Sequence, residues 1–174
     1  THDAAARESL TLTARRVSET MAVGAAVAKA AHAGDLITLD GQLGAGKTQF
    51  VRGMAQGLGL DVAQVASPTF VLMHEYDLAG TPAAARGIAY LVHIDAYRLN
   101  TLADLESIGW EPANADAMEQ ELCEGAIVVI EWAQRLGDTL GDNRLEIALE
   151  HTGDDTRRIT LTPHGSWRGR VPKL

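Results

Sequence analysis

Gly41-Gln42-Leu43-Gly44-Ala45-Gly46-Lys47-Thr48 matches the pattern G-x-x-x-x-G-K-[ST], and its flanks decide the fold. Immediately before it, Leu36-Ile37-Thr38-Leu39 is a short apolar, partly β-branched run that reads as a buried strand. Immediately after it, Gln49 to Gln56 reads as the first turns of a helix. Strand, glycine loop and helix N-terminus are the context that a phosphate-binding loop requires. The glycines let backbone N–H groups turn inward around a phosphate, and the helix end adds its positive pole. Lys47 then reaches the β- and γ-phosphates, and the Thr48 hydroxyl takes one position on Mg²⁺. The stretch predicts a nucleoside triphosphate site on an α/β fold.

The 174 residues are enough for one domain with a substantial core, so a single domain over 1–174 is expected, with 1–10 and 165–174 as mobile tails. A hydrophobic content of 46% with 22% charged residues is that of an ordinary globular chain. No apolar stretch approaches a membrane span, and the start carries no apolar signal region. The lone Cys123 cannot form an internal disulfide, which points to a reducing, cytoplasmic setting, and Glu121 and Glu124 beside it argue against a reactive thiol. A net charge of −8 argues against a large nucleic-acid surface. The one local basic patch is expected where Arg157, Arg158, Arg168, Arg170 and Lys173 gather around Trp167, in a solvated C-terminus.

Working outward from the loop, Thr11 to Ala33 is Ala-rich and reads as a helix with Val17, Met21, Val23 and Val27 on its apolar face and Gly34 as C-cap. Ser67-Pro68 breaks the chain, and Thr69 to Tyr76 reads as a strand. The Gly-, Pro- and Ala-rich stretch 79–86 reads as a flexible loop joining it to a hairpin-paired strand over Ile88–Asp95. Short helices are expected at Leu102–Ser107 and Ala113–Leu122. Ala126-Ile127-Val128-Val129-Ile130 is unbroken and apolar, as in a central strand buried on both faces. Arg144–Leu149 and Arg157–Leu161 close the chain as an antiparallel pair around Gly153-Asp154. The sum is a single phosphate-loop NTPase-like α/β domain with a mixed, mostly parallel central sheet flanked by helices.

A phosphate-bound Mg²⁺ needs hard oxygen ligands besides Thr48. Two strands end on acids, one at Asp95 and one at Glu131. Ligands collect at the carboxyl ends of parallel strands, so both acids face the triphosphate if both strands lie beside the one feeding the loop. Either acid could approach the metal and the other the attacking water. His93, on the same strand face as Asp95, either braces that carboxylate or is a satisfied core histidine. Thr69 is a γ-phosphate sensor or a strand-entry cap, and Trp132 packs near the nucleotide, near a partner or simply in the core.

Taken together, Gly41–Thr48 with Phe50 and Arg52-Gly53, Ser67-Pro68-Thr69-Phe70, His93-Ile94-Asp95-Ala96-Tyr97-Arg98-Leu99 and Glu131-Trp132 follow one order and spacing. In this the chain resembles the TsaE (YjeE) family over about Thr20 to Arg158. The resemblance implies a small ATPase that uses ATP and Mg²⁺ and works with the TsaB–TsaD pair, which transfers threonylcarbamoyl to a tRNA adenosine. It implies nucleotide-binding roles for Gly41, Gly44, Ala45, Gly46, Lys47, Thr48 and Gln49, with Thr48 and Glu131 at the metal. Asp95 is implied as the water-positioning acid beside the γ-phosphate, and Trp132 as the tryptophan next to it. Lys47, Asp95 and Glu131 are the implied catalytic set. Val17 and Thr20, and the turn ending at Arg158, match regions that border the adenine and ribose. Contact with tRNA is expected indirectly, mainly through partners, with a direct contact by the basic C-terminal stretch left open.

Some positions depart from the family pattern. Gln42 stands where Asp is frequent, Gln49 where Thr is common, and Ala133 where a proline often follows Glu-Trp. The 79–87 loop is also longer than in compact members. None of these removes a ligand. A translation-type GTPase would fit the D-x-x-G stretches Asp77–Gly80 and Asp138–Gly141, but guanine recognition needs N-K-x-D, and Asn143-Arg144-Leu145-Glu146 has the wrong residues. A small-molecule kinase would add an arginine-rich lid and an acceptor pocket. A nucleotide-sensing adaptor would differ from the ATPase mainly in rate. Arg52 and Arg98 are candidates for an internal arginine finger, and oligomeric state is left open.

Overall fold

The strand that feeds the glycine loop, β2 (Leu36–Asp40), lies between two parallel neighbours, with Leu39 opposite Glu131 on one side and Ile147 on the other. In the computed structural model, which describes residues 8–42, 44–65, 73–96, 125–133 and 143–174, it is near the middle of a seven-stranded sheet. The other strands are β1 (Leu10–Ala14), β3 (Met73–Asp77), β4 (Tyr90–Asp95), β5 (Ala126–Glu131), β6 (Leu145–His151) and β7 (Arg157–Pro163). Their order is β1-β7-β6-β2-β5-β4-β3. The core from β6 to β4 is parallel, and antiparallel pairs close both edges. Every residue of β5 is buried, as its unbroken apolar run demands.

Side-chain alternation sorts the sheet into two faces. Ile37, Leu39, Leu91, Ile127, Val129, Ile147, Ile159 and Leu161 point to one core, while Leu36, Val92, Ile94, Val128 and Ile130 form another. His93, Asp95, Glu131 and Arg157 share the odd-numbered parity of the first set, so they emerge on that face where the strands end.

Two helices cover it, α1 (Val17–Ala30) and α2 (Lys47–Leu58). Glycine brings them into close contact. A Cβ on Gly24 would lie 2.2 Å from the carbonyl oxygen of Phe50, one on Gly53 2.0 Å from that of Met21, and one on Gly57 2.6 Å from that of Ala25. Backbone therefore meets backbone, and the loop helix is fixed to α1.

Several expectations are corrected. The segment Thr11–Ala33 is not one helix, because β1 pairs with β7 along Leu10–Ala14 and α1 starts only at Val17. The helix stops at Ala31, which turns extended, and Gly34 (φ 93°) instead redirects the chain into β2. The buried stripe of α1 runs Thr20, Val23, Gly24, Val27 and Ala28, with Val17 exposed. The 79–86 stretch contains a short helix, α3 (Pro82–Ala85), and Arg86 donates to the carbonyls of Ala28 and Ala31 at the C-terminus of α1. Strand β4 is not beside β2, since β5 separates them.

Of the basic residues near the C-terminus, Arg157 and Arg158 do not gather at Trp167, whereas Arg170 does. Arg157 and Arg158 begin β7 at the loop end of the sheet, whereas Trp167, fully buried, packs beyond the other end of β7. There Arg170 stacks 4.3 Å over its ring and pairs with Asp35 at 2.6 Å. The expected helices over 102–107 and 113–122, together with Ser67-Pro68-Thr69-Phe70, Tyr97, Arg98 and Cys123, lie outside the described residues.

Candidate functional site

Helix α2 begins at Lys47 behind Gly46, whose φ of 102° only glycine adopts without strain. Its first backbone N–H groups have no partner within the helix and are directed at the space beyond its end. That space is an open pocket of about 370 Å³ lined by Val17, Gly44, Gly46, Lys47, Thr48, Gln49, Asp95, Glu131, Trp132 and Arg157. Most of the sequence-predicted site is thus brought together by the ends of β4 and β5, the start of β7, the glycine loop that follows β2 and the starts of α1 and α2.

Lys47 is the buried cation of the pocket, only 7% exposed. Its ammonium donates to the carbonyls of Gly41 and Gln42, the latter at 3.1 Å, and sits 4.3 Å from the Trp132 ring centroid. Burial pushes its pKa down, against the opposing pull of Glu131, Asp95 and Asp40. Trp132 reaches this position because the chain turns sharply after β5. Among the described residues it is the one non-glycine with positive φ (60°), held there by its N–H donating to Leu39 O at 3.1 Å. Such a conformation costs about 1–3 kcal/mol in a bulky residue and is found where a site requires it.

Asp95 and Glu131 are register partners on adjacent parallel strands, and Ala96 N–H donates to Glu131 O at 2.9 Å, locking the two strand ends. His93 does not brace Asp95 as its strand position suggested. Its Nε2 donates to Glu131 Oε2 at 2.8 Å, with both side chains buried.

Three predicted residues stand back from the pocket wall. Gly41 packs against β6, where a Cβ would lie 2.7 Å from Leu149 O, and serves the site through its carbonyl bond to Lys47. Ala45 is buried, and its N–H closes the loop onto Gln42 O at 3.0 Å. Thr20 is buried beside Gly46, its methyl 3.8 Å from where a Cβ would sit. Arg158 is not brought to the site. It lies on the opposite face of β7 and pairs with Glu150 at 2.9 Å. Its neighbour Arg157 enters the pocket instead and donates to Ala45 O at 2.9 Å and Gly44 O at 3.2 Å. Arg52 donates to Val65 O at 3.2 Å.

A family model described as "Threonylcarbamoyl adenosine biosynthesis protein TsaE" matches residues 14–159. The chain belongs to the TsaE family. It is 35% identical to the tRNA threonylcarbamoyladenosine biosynthesis protein TsaE of Bacillus subtilis over 148 residues, 85% of this chain and 82% of that one. The protein of the same name from Mycobacterium leprae is 38% identical over 146 residues, covering 83% and 84% of the two chains. The crystal structure of YdiB from Bacillus subtilis superposes with a TM-score of 0.66 at 31% identity, over 94% of this chain and 90% of that one. The mixed sheet is therefore the TsaE fold.

The pocket of this TsaE chain suits a polyphosphate with a divalent cation. Lys47 and Arg157 are balanced in formal charge by Asp95 and Glu131, so a polyphosphate needs further positive charge to settle there. Among the described residues no group of three or more His, Cys, Asp or Glu is placed to hold a metal on its own. Thr48 and a single carboxylate, completed by phosphate oxygens and water, form the donor set that Mg²⁺ ordinarily uses beside a nucleotide. Among the described residues no helix is long and apolar enough to cross a membrane.

Proposed function

We propose that this chain is a weak, Mg²⁺-dependent ATPase of the cytoplasm that supports threonylcarbamoyl transfer to tRNA adenosine by the TsaB–TsaD complex. The observation that carries this reading is the convergence of Lys47, Thr48, Asp95 and Glu131 on one pocket at the N-terminus of α2. The names of the relatives, which place them in tRNA threonylcarbamoyladenosine biosynthesis, support the pathway.

In this reading the loop N–H groups and Lys47 hold the β- and γ-phosphates and stabilise charge on the transferred phosphoryl group. Thr48 and Glu131 would hold Mg²⁺, which supplies neutralisation of the phosphate oxygens, and His93 keeps the Glu131 carboxylate in place. Asp95 accepts a hydrogen bond from the attacking water and orients it in line with the leaving oxygen. Water adds to the γ-phosphorus, the bond to the β-phosphate oxygen breaks, and ADP and phosphate leave. The net charge of −8 supports a reading in which the partners grip the tRNA.

The test is phosphate release with ATP against GTP, with and without the TsaB–TsaD pair and with and without EDTA. ATP turnover is expected to exceed GTP turnover, to rise with the partners and to vanish with EDTA. GTP turnover equal to or above that with ATP, or indifference to the partners, overturns the assignment.

A further inference from the structure

At Gly44 the glycine loop has open space beside its backbone. Gly44 (φ 81°) and Gly46 (φ 102°) flank Ala45, and a Cβ on Gly44 would meet nothing within 4 Å. Glycine peptides with open space around them sample many orientations, and ordering them costs conformational entropy. A phosphate site nevertheless needs its N–H groups aimed before the ligand arrives.

Arg157 supplies what the loop lacks. Its Nε donates to Ala45 O at 2.9 Å and one terminal nitrogen to Gly44 O at 3.2 Å. The other terminal nitrogen is anchored on the β6–β7 turn, within reach of Gly153 O (3.3 Å), Asp154 O (3.1 Å) and Thr156 O (3.1 Å). One planar guanidinium thus ties two peptide units of the loop to a hairpin. Because C=O and N–H lie antiparallel in a trans peptide, holding a carbonyl also sets the direction of the next N–H. The 44–45 unit is held at both ends, by Arg157 and by the Ala45 N–H bond to Gln42 O. The 45–46 unit is held at its oxygen, which fixes where the Gly46 N–H points. Among the described residues Arg157 has no ion-pair partner, unlike Arg144, Arg158 and Arg170, and its hydrogen bonds all go to backbone carbonyls.

We propose that Arg157 is a positioning residue that clamps the Gly44–Gly46 peptides from the β6–β7 hairpin and so sets the Gly46 N–H toward the nucleotide's phosphates. The inference rests on the ATP reading of the pocket.

The test uses Arg157→Ala, Arg157→Gln and Arg157→Lys in the full chain; the latter two keep a long polar side chain if the alanine variant does not fold. Calorimetric titration with ATP and ADP is combined with the amide signal of Gly46 in ¹⁵N-glycine-labelled protein without nucleotide. The expected result is a displaced Gly46 signal and an affinity lower by about tenfold for both nucleotides, as for loss of one oriented charge-assisted contact. Lysine should not rescue, since it carries the charge but cannot bridge both carbonyls. Wild-type affinity in Arg157→Lys would mean that charge alone matters, and would overturn the clamp. An unmoved Gly46 signal, or a lower melting temperature with unchanged affinity, would also overturn it. Failure of the wild-type protein itself to bind ATP would instead remove the ATP reading, while the Gly46 signal would still judge the clamp.

Discussion

The Nε2 of His93 lies 2.8 Å from the Oε2 of Glu131, and the two side chains are 0% and 5% exposed. A buried carboxylate in this position has little water to solvate it, so the imidazole N–H supports it alongside the nearby Lys47 charge. His93→Ala should therefore cost about 1.5–3 kcal/mol of stability, the range for a hydrogen bond to a charged group. For a chain of this size that is a fall of about 3–12 °C in melting temperature. It should also lower partner-supported ATP turnover, because Glu131 is free to leave the metal position. His93→Gln, which restores a donor, should recover part of both. A melting curve and turnover matching wild type would show that the pair does neither job.

The helix pair provides a second test. Gly53→Ala places a Cβ 2.0 Å from the Met21 carbonyl, and that backbone atom cannot rotate away as a side chain could. Overpacking against a backbone atom this close costs about 2–3 kcal/mol, the upper part of the overpacking range, which leaves a net loss of about 1–2 kcal/mol after the ~1 kcal/mol that alanine gains over glycine in helix propensity. Thermal melting should show a drop of roughly 2–8 °C. Because α1 also carries Thr20 against Gly46, ATP affinity should fall with it. A stabilised variant would mean that the helices separate freely.

How far the sequence was readable follows from which interactions are local. The loop was legible because strand, glycines and helix start are contiguous, and Asp95 and Glu131 because each ends an apolar run. Strand β1 was not, since Leu10, Leu12 and Ala14 alternate only briefly beside an Ala-rich stretch and become a strand by pairing with β7, nearly 150 residues away. Arg157 was missed for its neighbour Arg158, because a one-residue choice in a strand reverses the face. The signal was present in the text: Arg157 shares parity with the buried Ile159 and Leu161. Sequence leaves His93 between bracing the acid on its own strand and sitting in the core, and the carboxylate it reaches belongs to β5, a fact of sheet order alone.

Acid sensitivity is expected at Glu146 in β6. Burial pushes its pKa up, but the hydrogen bond from Arg144 at 3.0 Å and the pairing with Arg144 and His164 outweigh that, so the carboxyl is held below its ordinary value of 4.5. In the window between that lowered value and 4.5 the folded protein binds fewer protons than the unfolded chain, so stability rises with pH. Wild type should therefore melt above Glu146→Gln at neutral pH. The difference should shrink as pH falls through the lowered value. Melting curves of the two proteins across this range decide it, and a gap that stays constant into strong acid would exclude the pairing as its source.

Lys47 and Asp95 face one pocket with opposite charge, so their removal should act on different steps. Lys47→Ala takes away the buried cation expected to bind the β- and γ-phosphates, and ATP affinity should fall about 10- to 150-fold, corresponding to ~1.5–3 kcal/mol for charged hydrogen bonds. Asp95→Asn removes a negative charge that repels the phosphates, so affinity should hold or tighten. The asparagine amide is a poor acceptor for the attacking water, and turnover should drop by about 10²-fold or more. Titration calorimetry and phosphate release on the same preparations separate the two effects. If Asp95→Asn lost affinity in parallel with Lys47→Ala while keeping its turnover number, Asp95 would be a binding residue, and the water-orienting role would pass to Glu131.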